Sequence, residues 1–163
     1  MLAQTVLLDL DQEFAGTRRM FERLPEQHLE YTPHAKSWPL GKLAIHLLDP
    51  PLWGTVTCTT TTLAFDGPMP DKVQPTTAAE FLRIWDERVA QFKQTLAGMS
   101  DEALHVTWEA TMSGHVVMSM PRFVVLRTVV MNHMIHHRAQ LTMYYRMLDV
   151  PVPGLYGPSA DEK

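Results

Sequence analysis

Apolar side chains recur at intervals of three and four residues along much of the chain, the spacing that places them on one face of an α-helix. The first such segment covers residues 2–23 and stops before Pro25. A later segment begins at Thr77, where Thr-Ala-Ala-Glu forms a capping box, and stops at Gly98. The predicted buried face of this later helix consists of Phe81, Ile84, Trp85, Val89, Phe92 and Leu96.

Between these two helices, a second apolar segment runs from about residue 37 towards residue 63. Ser37, followed by Trp-Pro, predicts a helix that starts with a capping hydroxyl and a proline in the first turn. The pair Pro50-Pro51 predicts a kink or a break one turn after His46, because proline lacks the N–H that the helix needs. The threonine-rich end, residues 57–62, has poor helix propensity and is expected to fray.

Two stretches without helical spacing separate the remaining helices. Residues 65–72 contain two prolines and a glycine and predict a loop. Residues 103–119 are rich in β-branched side chains around Ser113-Gly114, which predicts a short hairpin or an extended excursion. Ser119 and Pro121 repeat the serine-and-proline helix start, and a fourth helix is predicted from about residue 122 to residue 148.

Four long helices with one short β excursion before the last helix predict an all-α protein, a four-helix bundle. The tail after the fourth helix includes residues 155–158, and we expect it to lie on the surface or on a partner. At 163 residues the chain is long enough to bury about two-thirds of its unfolded surface in one core. We therefore expect a single domain over residues 1–163.

Composition excludes several classes of function. The chain carries 14 basic and 18 acidic residues, a net charge of −4 with no basic run, which argues against nucleic acid as the main partner. It contains no stretch of about 18 uncharged apolar residues, so no membrane span is expected. A single cysteine, Cys58, fits a reducing compartment, and the N-terminus lacks the pattern of a signal peptide, so we expect a cytoplasmic protein.

The most informative stretch for chemistry is the histidine cluster inside the fourth predicted helix. His133 and His137 lie one turn apart on one helix face, so their imidazoles can reach one cation, and the spacing alone equally allows His136 in place of His137. His46, on the apolar face of the second helix, is the best third ligand. Three imidazoles leave an ion with open positions, as in catalytic sites, and Asp49 is a further candidate as fourth ligand or as an acceptor for an imidazole N–H.

Other candidates are weaker. Cys58 is predicted to face away from His46 and to pack as a small apolar group. Trp53 and Tyr144 each lie seven residues from a candidate ligand and are expected either in the core or along a pocket. The chain has no glycine-rich phosphate loop, no G-x-S-x-G elbow and no H-E-x-x-H motif. The histidines expected at the surface are His28, His34, His105 and His115.

Two segments give the chain a family resemblance. Ser37-Trp-Pro-Leu-Gly-Lys-Leu-Ala-Ile-His46 and Asn132-His133-Met-Ile-His136-His137-Arg138-Ala-Gln-Leu141 resemble the DinB-like (DinB/YfiT) superfamily, bacterial four-helix-bundle proteins regarded as metalloenzymes. The tail over residues 150–162 is similar to that of one subgroup. The resemblance implies a divalent ion, commonly zinc or nickel, held by His46, His133 and His137, which selects His137 over His136. It also implies frequent homodimers and, in some branches, a low-molecular-weight thiol as cosubstrate.

Three hypotheses about function follow. In the first, an ion on the three histidines activates a thiol for S-transfer to a small electrophile, and Arg138 either attracts an anionic substrate or is simply exposed. In the second, the same site activates water, and the protein is a metal-dependent hydrolase. In the third, the protein is a non-enzymatic metal-binding dimer. The first two predict a small-molecule substrate.

Overall fold

The computed structural model describes residues 2–67 and 72–162 and shows a mostly helical chain. The loop predicted over residues 65–72 lies partly outside the described residues, since residues 68–71 are not among them. No helix in the described ranges is long and apolar enough to cross a membrane. The helices are α1 (Leu2–Glu22), α2 (Leu40–His46), α3 (Asp49–Thr59), α4 (Ala78–Ala97), α5 (Asp101–His105), α6 (Arg122–Val125) and α7 (His133–Met147).

The first long helix and α4 form the centre of the core through their aromatic side chains. Phe14 meets the rings of Trp85 and Phe92 edge-on, at centroid distances of 5.7 and 6.0 Å. Phe21, two turns further along α1, contacts Trp85 and Phe81. Five of the six side chains predicted for the buried face of α4 are buried, while Val89 is half-buried. The Thr77 capping box that opens this helix is confirmed.

The all-α prediction is too narrow, because the chain also forms a three-stranded sheet in the order β1-β2-β3. The hairpin was expected: β2 (Thr107–Met112) and β3 (His115–Pro121) pair antiparallel across a turn in which Ser113 and Gly114 both have positive φ. The unexpected strand is β1 (Thr62–Ala64), which pairs parallel with β2. The threonine-rich segment before β1 was predicted to fray. Instead, α3 ends at Thr59, and the carbonyl oxygen of Thr61 accepts a hydrogen bond from the Glu109 amide of β2.

Both predicted serine caps are wrong. The residues before α2 and α6 are Pro39 and Pro121, and neither helix start has a side-chain capping bond. Strand β3 continues through Ser119, whose hydroxyl donates to the Glu109 carboxylate on β2. The serine of α5 does cap, because the Ser100 hydroxyl accepts the Ala103 N–H, and this short helix was not predicted.

The fourth predicted helix is present, but its first half changes from α-helical to π-helical geometry. Between α6 and α7, residues Leu126–Asn132 form a π-helical segment, which ends immediately before His133. Such segments add backbone width within a helix and occur frequently at functional sites. Arg122, at the start of this long helix, is buried and donates to the carbonyl oxygens of Thr57 and Thr60 at the end of α3. Arg122 therefore ties the start of this helix to the end of α3.

The C-terminal tail folds back on its own chain. Its amides at Val152 and Gly154 donate to the carboxylates of Asp161 and Glu162, and Glu162 also accepts from Arg23 at the end of α1. The Arg146 guanidinium and the Val152 amide hold the pKa of Asp161 at about 2, well below its usual range. The tail thus lies on the surface of the helices, one of the two places expected for it.

The close crossing of α3 and α4 gives a first testable prediction. A Cβ on Gly54 would lie 2.6 Å from the ring of Phe92, which is fully buried against Phe14. We expect Gly54→Ala to lower the free energy of unfolding by about 1–2 kcal/mol, because overpacking outweighs the gain in helix propensity. Urea denaturation measures the change.

Gly98→Ala is the matched control for this substitution. Gly98 ends α4 with ordinary helical dihedral angles, and an added Cβ would come no closer than 3.6 Å to the Thr95 carbonyl oxygen. We expect its unfolding free energy to stay within about 0.5 kcal/mol of the wild type. Equal effects of the two substitutions would contradict the close crossing.

Candidate metal centre

Three histidines from two helices meet at one point. His46 is the last residue of α2, while His133 and His137 occupy the first two turns of α7. The Nε2 atoms of His46 and His133 lie 2.8 Å apart, and the ring of His137 lies 4.7 Å from that of His46 and 4.4 Å from that of His133. One nitrogen from each imidazole falls within 4.8 Å of the others. The structure therefore brings together the three candidate ligands named from the sequence.

The local chain path explains how His46 reaches this point. Helix α2 stops at His46, and α3 restarts at Asp49 with Pro50 and Pro51 in its first turn. The proline pair thus breaks the helix, as predicted, and the break lies directly behind His46. His46 keeps its place facing α7, so the break does not remove it from the cluster.

Burial and mutual proximity keep two of these imidazoles uncharged. Burial, and next the neighbouring imidazoles of His137 and His46, lower the pKa of His133 to about 4. Burial likewise lowers the pKa of His137, although its hydrogen bond to Gln140 acts in the opposite direction. Both rings are neutral at pH 7, which is the state in which imidazole binds a metal.

The Asp49 carboxylate lies behind His46, and Arg88 holds it in place. Asp49 Oδ2 lies 3.6 Å from His46 Nδ1, longer than a hydrogen bond but close enough to favour the Nδ1–H tautomer. Asp49 Oδ1 accepts from Arg88 of α4, and the same Arg88 nitrogen donates to the Leu48 carbonyl oxygen. Because Nε2 of His46 faces the cluster, Asp49 stands behind the imidazole and is not grouped with the three candidate ligands.

Gln140 fixes the orientation of His137. The Gln140 Oε1 lies 2.7 Å from His137 Nδ1, so that nitrogen donates and Nε2 is left with a lone pair. The amide nitrogen of Gln140 in turn lies 3.2 Å from His136 Nε2. His136 is exposed and sits outside the cluster. Neither the role of Gln140 nor that of Arg88 was foreseen from the sequence, although Gln140 lies at the helical spacing i+3 from His137.

Removal of the Gln140 amide should weaken the site without deleting a candidate ligand. We expect Gln140→Ala to lower zinc affinity about 10- to 100-fold, because the His137 imidazole loses the acceptor that sets its tautomer and orientation. Competition titration against a chromophoric zinc chelator measures the change. Met147→Ala, an exposed position in the last turn of the same helix, serves as control. Wild-type affinity in Gln140→Ala would show that the amide does not support the site.

Two indole rings border the cluster, and cavities open beside its histidines. Trp38 stacks on the ring of His137 and meets that of His46 edge-on, while Trp53 contacts His46 and His133 at 5.4 and 5.2 Å. A cavity of about 620 Å³ opens beside His46 and is bordered by Trp38, Glu30 and Lys42. A cavity of about 450 Å³ beside His137 is lined by Tyr144 among others. Tyr144 thus borders a pocket, and Trp53 borders a third, smaller cavity.

The remaining candidates lie away from the cluster. Arg138 is neither exposed nor directed at a substrate: it is 1% exposed and paired with Glu13 of α1. Cys58 is buried as expected, and burial raises the pKa of its thiol to about 12, so it is not a nucleophile at neutral pH. The four histidines expected at the surface are all exposed: His28, His34, His105 and His115.

Three imidazole nitrogens suit a divalent ion of intermediate softness, such as zinc. Three imidazole nitrogens that each bind an ion at about 2.1 Å must lie within about 4.2 Å of one another. The three nitrogens lie within 4.8 Å of one another, slightly beyond that limit, so a small rotation of an imidazole would bring all three into bonding range. The neutral state of His133 and His137 removes charge repulsion with a cation. Among the described residues, no fourth protein donor joins the three histidines. The cluster therefore resembles a catalytic metal site, which keeps a coordination position open, more than a structural site with four protein ligands.

Known protein families and proteins include matches to almost the whole chain. A family model described as the DinB family matches residues 3–163. The uncharacterized protein YrdA of Bacillus subtilis (strain 168) is 27% identical over 150 residues, which cover 92% of this chain and 85% of that protein.

Two solved structures share the fold. A DinB-like protein from Bacillus cereus has a TM-score of 0.72 at 26% identity, over 94% of this chain and 97% of its own. The DinB-like protein YjoA of Bacillus subtilis has a TM-score of 0.71 at 15% identity, over 95% and 99% of the two chains.

Proposed function

This chain belongs to the DinB family, and from that premise we propose that it is a metal-dependent enzyme whose divalent ion, zinc or nickel, is held by His46, His133 and His137. The observation that carries the proposal is the convergence of three imidazole nitrogens within 4.8 Å with no fourth protein donor in the described residues. A site of this kind leaves room for a small molecule beside the ion.

The reaction we propose is S-transfer from a low-molecular-weight thiol to a small electrophile. A bound divalent ion supplies positive charge that lowers the pKa of a thiol from about 8.5, so that thiolate dominates at neutral pH. The sulfur forms a bond to the electrophilic carbon, the bond to the leaving group breaks with its electron pair on that group, and the thiol proton passes to solvent. The products are a thioether, the leaving-group anion and the proton released to solvent, and no oxidant or reductant is needed.

The large cavity beside His46 has the charges that a small polar thiol requires. Lys42 and Glu30 border it with opposite charges, and Gln74 and Thr76 add polar groups. The Lys42 ammonium also lies 4.6 Å from the centre of the Trp38 ring, which keeps it on the side of the cavity next to the cluster. A thiol that carries both an amino group and a carboxylate matches this pair of charges.

The chain's own residues orient the site and limit water. His46 and His137 are held by Asp49 and Gln140 with their Nε2 atoms toward the cluster. Trp38 and Trp53 cover the imidazole rings with apolar surface. The Asp49 carboxylate, 3.6 Å from His46 Nδ1, stands behind His46 and is paired with Arg88, so it is poorly placed as the general base that a hydrolase requires. This position favours a thiol, which ionises more readily than water, as the nucleophile.

The test is cosubstrate dependence. Zinc- or nickel-loaded protein is incubated with 1-chloro-2,4-dinitrobenzene and either glutathione or cysteine, and thioether formation is followed by absorbance and mass spectrometry. We expect turnover above the uncatalysed rate that needs both thiol and metal, disappears in His137→Ala and persists in His136→Ala. Turnover of 4-nitrophenyl acetate without thiol, and no thioether with any thiol tested, would instead support the hydrolase. A saturated metal with neither reaction would support a non-enzymatic metal-binding protein.

A further inference from the structure

A separate, smaller cavity lies on the other side of the cluster, against His133. Its volume is about 160 Å³. It lies between the helices and the sheet, in a second apolar cluster formed around Trp108, Ala110 and Val125. Elements from four parts of the chain line it: Trp53, Leu63, Trp108, Val125, Val129 and His133.

The walls of this cavity are apolar and fixed. Trp108 is 3% exposed, and its indole N–H donates to the Thr60 hydroxyl, so the ring cannot turn that polar group into the cavity. Trp53 is held against the rings of His46 and His133. Phe65, also at the cavity, is 38% exposed, which places the cavity next to solvent. A guest can therefore enter, and apolar surface is what the walls offer it.

The size of the cavity defines the size of its guest. An apolar cavity of about 150 Å³ holds one benzene molecule, whereas sites for whole ligands measure about 300–1,000 Å³. At 160 Å³ this cavity accommodates one ring or a short branched alkyl group, and therefore only part of a substrate. The cavity of about 620 Å³ beside His46 is large enough for a whole small molecule.

His46 borders the large polar cavity and His133 borders the small apolar one, while their Nε2 atoms lie 2.8 Å apart. The histidine cluster thus stands between two compartments of opposite character. We infer that the small cavity binds an apolar group of about the size of one aromatic ring, carried by the electrophilic substrate. The assignment of this group to the electrophile rests on the proposed S-transfer, whereas the binding of an aromatic ring by the cavity does not.

The test uses 4-fluorotoluene as the probe and ¹⁹F NMR line broadening as the readout, with protein both free of metal and loaded with zinc. Val129→Phe fills the cavity from the π-helical segment. We expect the wild type to bind the probe in both states and Val129→Phe to bind it at least about tenfold more weakly. Val117→Phe adds the same ring at an exposed position on β3 and should bind like the wild type.

Two further variants separate this inference from the proposed function. Leu63→Trp fills the cavity from β1 and replaces Val129→Phe if that protein does not fold. His137→Ala, which should abolish metal-dependent turnover, lies outside the cavity and should keep probe binding. Absence of binding to the wild type, or equal binding by the wild type and the filled variants, overturns the inference whether or not the protein binds metal.

Discussion

Arg138→Ala is expected to lower the free energy of unfolding by about 3–5 kcal/mol, because it leaves a carboxylate buried without its counter-charge. Arg138 and Glu13 are 1% and 8% exposed, and Arg138 Nη2 lies 2.5 Å from Glu13 Oε2. The guanidinium also donates to the Glu13 carbonyl oxygen, and the Tyr156 hydroxyl donates to the Glu13 carboxylate. The arginine therefore joins α1, α7 and the C-terminal tail.

Urea denaturation followed by circular dichroism measures this loss. The exposed pair Arg83–Glu87 on α4 provides the control, and Arg83→Ala should cost no more than about 1 kcal/mol. The double variant Glu13→Leu with Arg138→Met removes both charges and should recover most of the lost stability. A loss below about 1 kcal/mol for Arg138→Ala would contradict the buried pairing.

Removal of any one histidine of the cluster is expected to lower zinc affinity by more than about 100-fold, a larger effect than loss of a supporting group. The ion would then be bound by two imidazoles in place of three, because no other donor among the described residues belongs to the histidine cluster. Competition titration of His46→Ala and His137→Ala against a zinc chelator measures the change.

His136→Ala is the matched control, one residue from His137 on the same helix but exposed. It should keep affinity close to that of the wild type, apart from a small effect through its contact with Gln140. If His136→Ala lost the metal and His137→Ala kept it, the choice between the two neighbouring histidines would be wrong. Circular dichroism should show the same helical content in all three variants.

Helical spacing was sufficient to place the histidines on two helices, but not to decide which of them meet. The i, i+4 relation of His133 and His137 is a local property of α7, whereas their contact with His46 depends on how α2 packs. The family resemblance supplied that choice. The structure added Gln140 and Arg88, whose roles depend on tertiary contacts: Arg88 reaches from α4 to the Leu48 carbonyl oxygen and Asp49.

The elements missed in the sequence share a similar cause. Strand β1 has three residues and exists because β2, whose paired residues lie 47 positions further along the chain, supplies its hydrogen-bond partners. The π-helical segment before His133 leaves the apolar periodicity on either side of it intact, so no pattern marks it. Pro39 and Pro121 do begin helices, but from extended backbone, which moves each preceding serine out of reach of the helix N-terminus.

The central claim is that His46, His133 and His137 hold one divalent ion, and metal content is its most direct measure. Tag-free protein purified without chelators is assayed by inductively coupled plasma mass spectrometry, beside His46→Ala and His137→Ala. We expect about one zinc or nickel ion per chain in the wild type and none in either variant. A folded wild type that contains no ion and takes up neither zinc nor nickel on addition would contradict the claim.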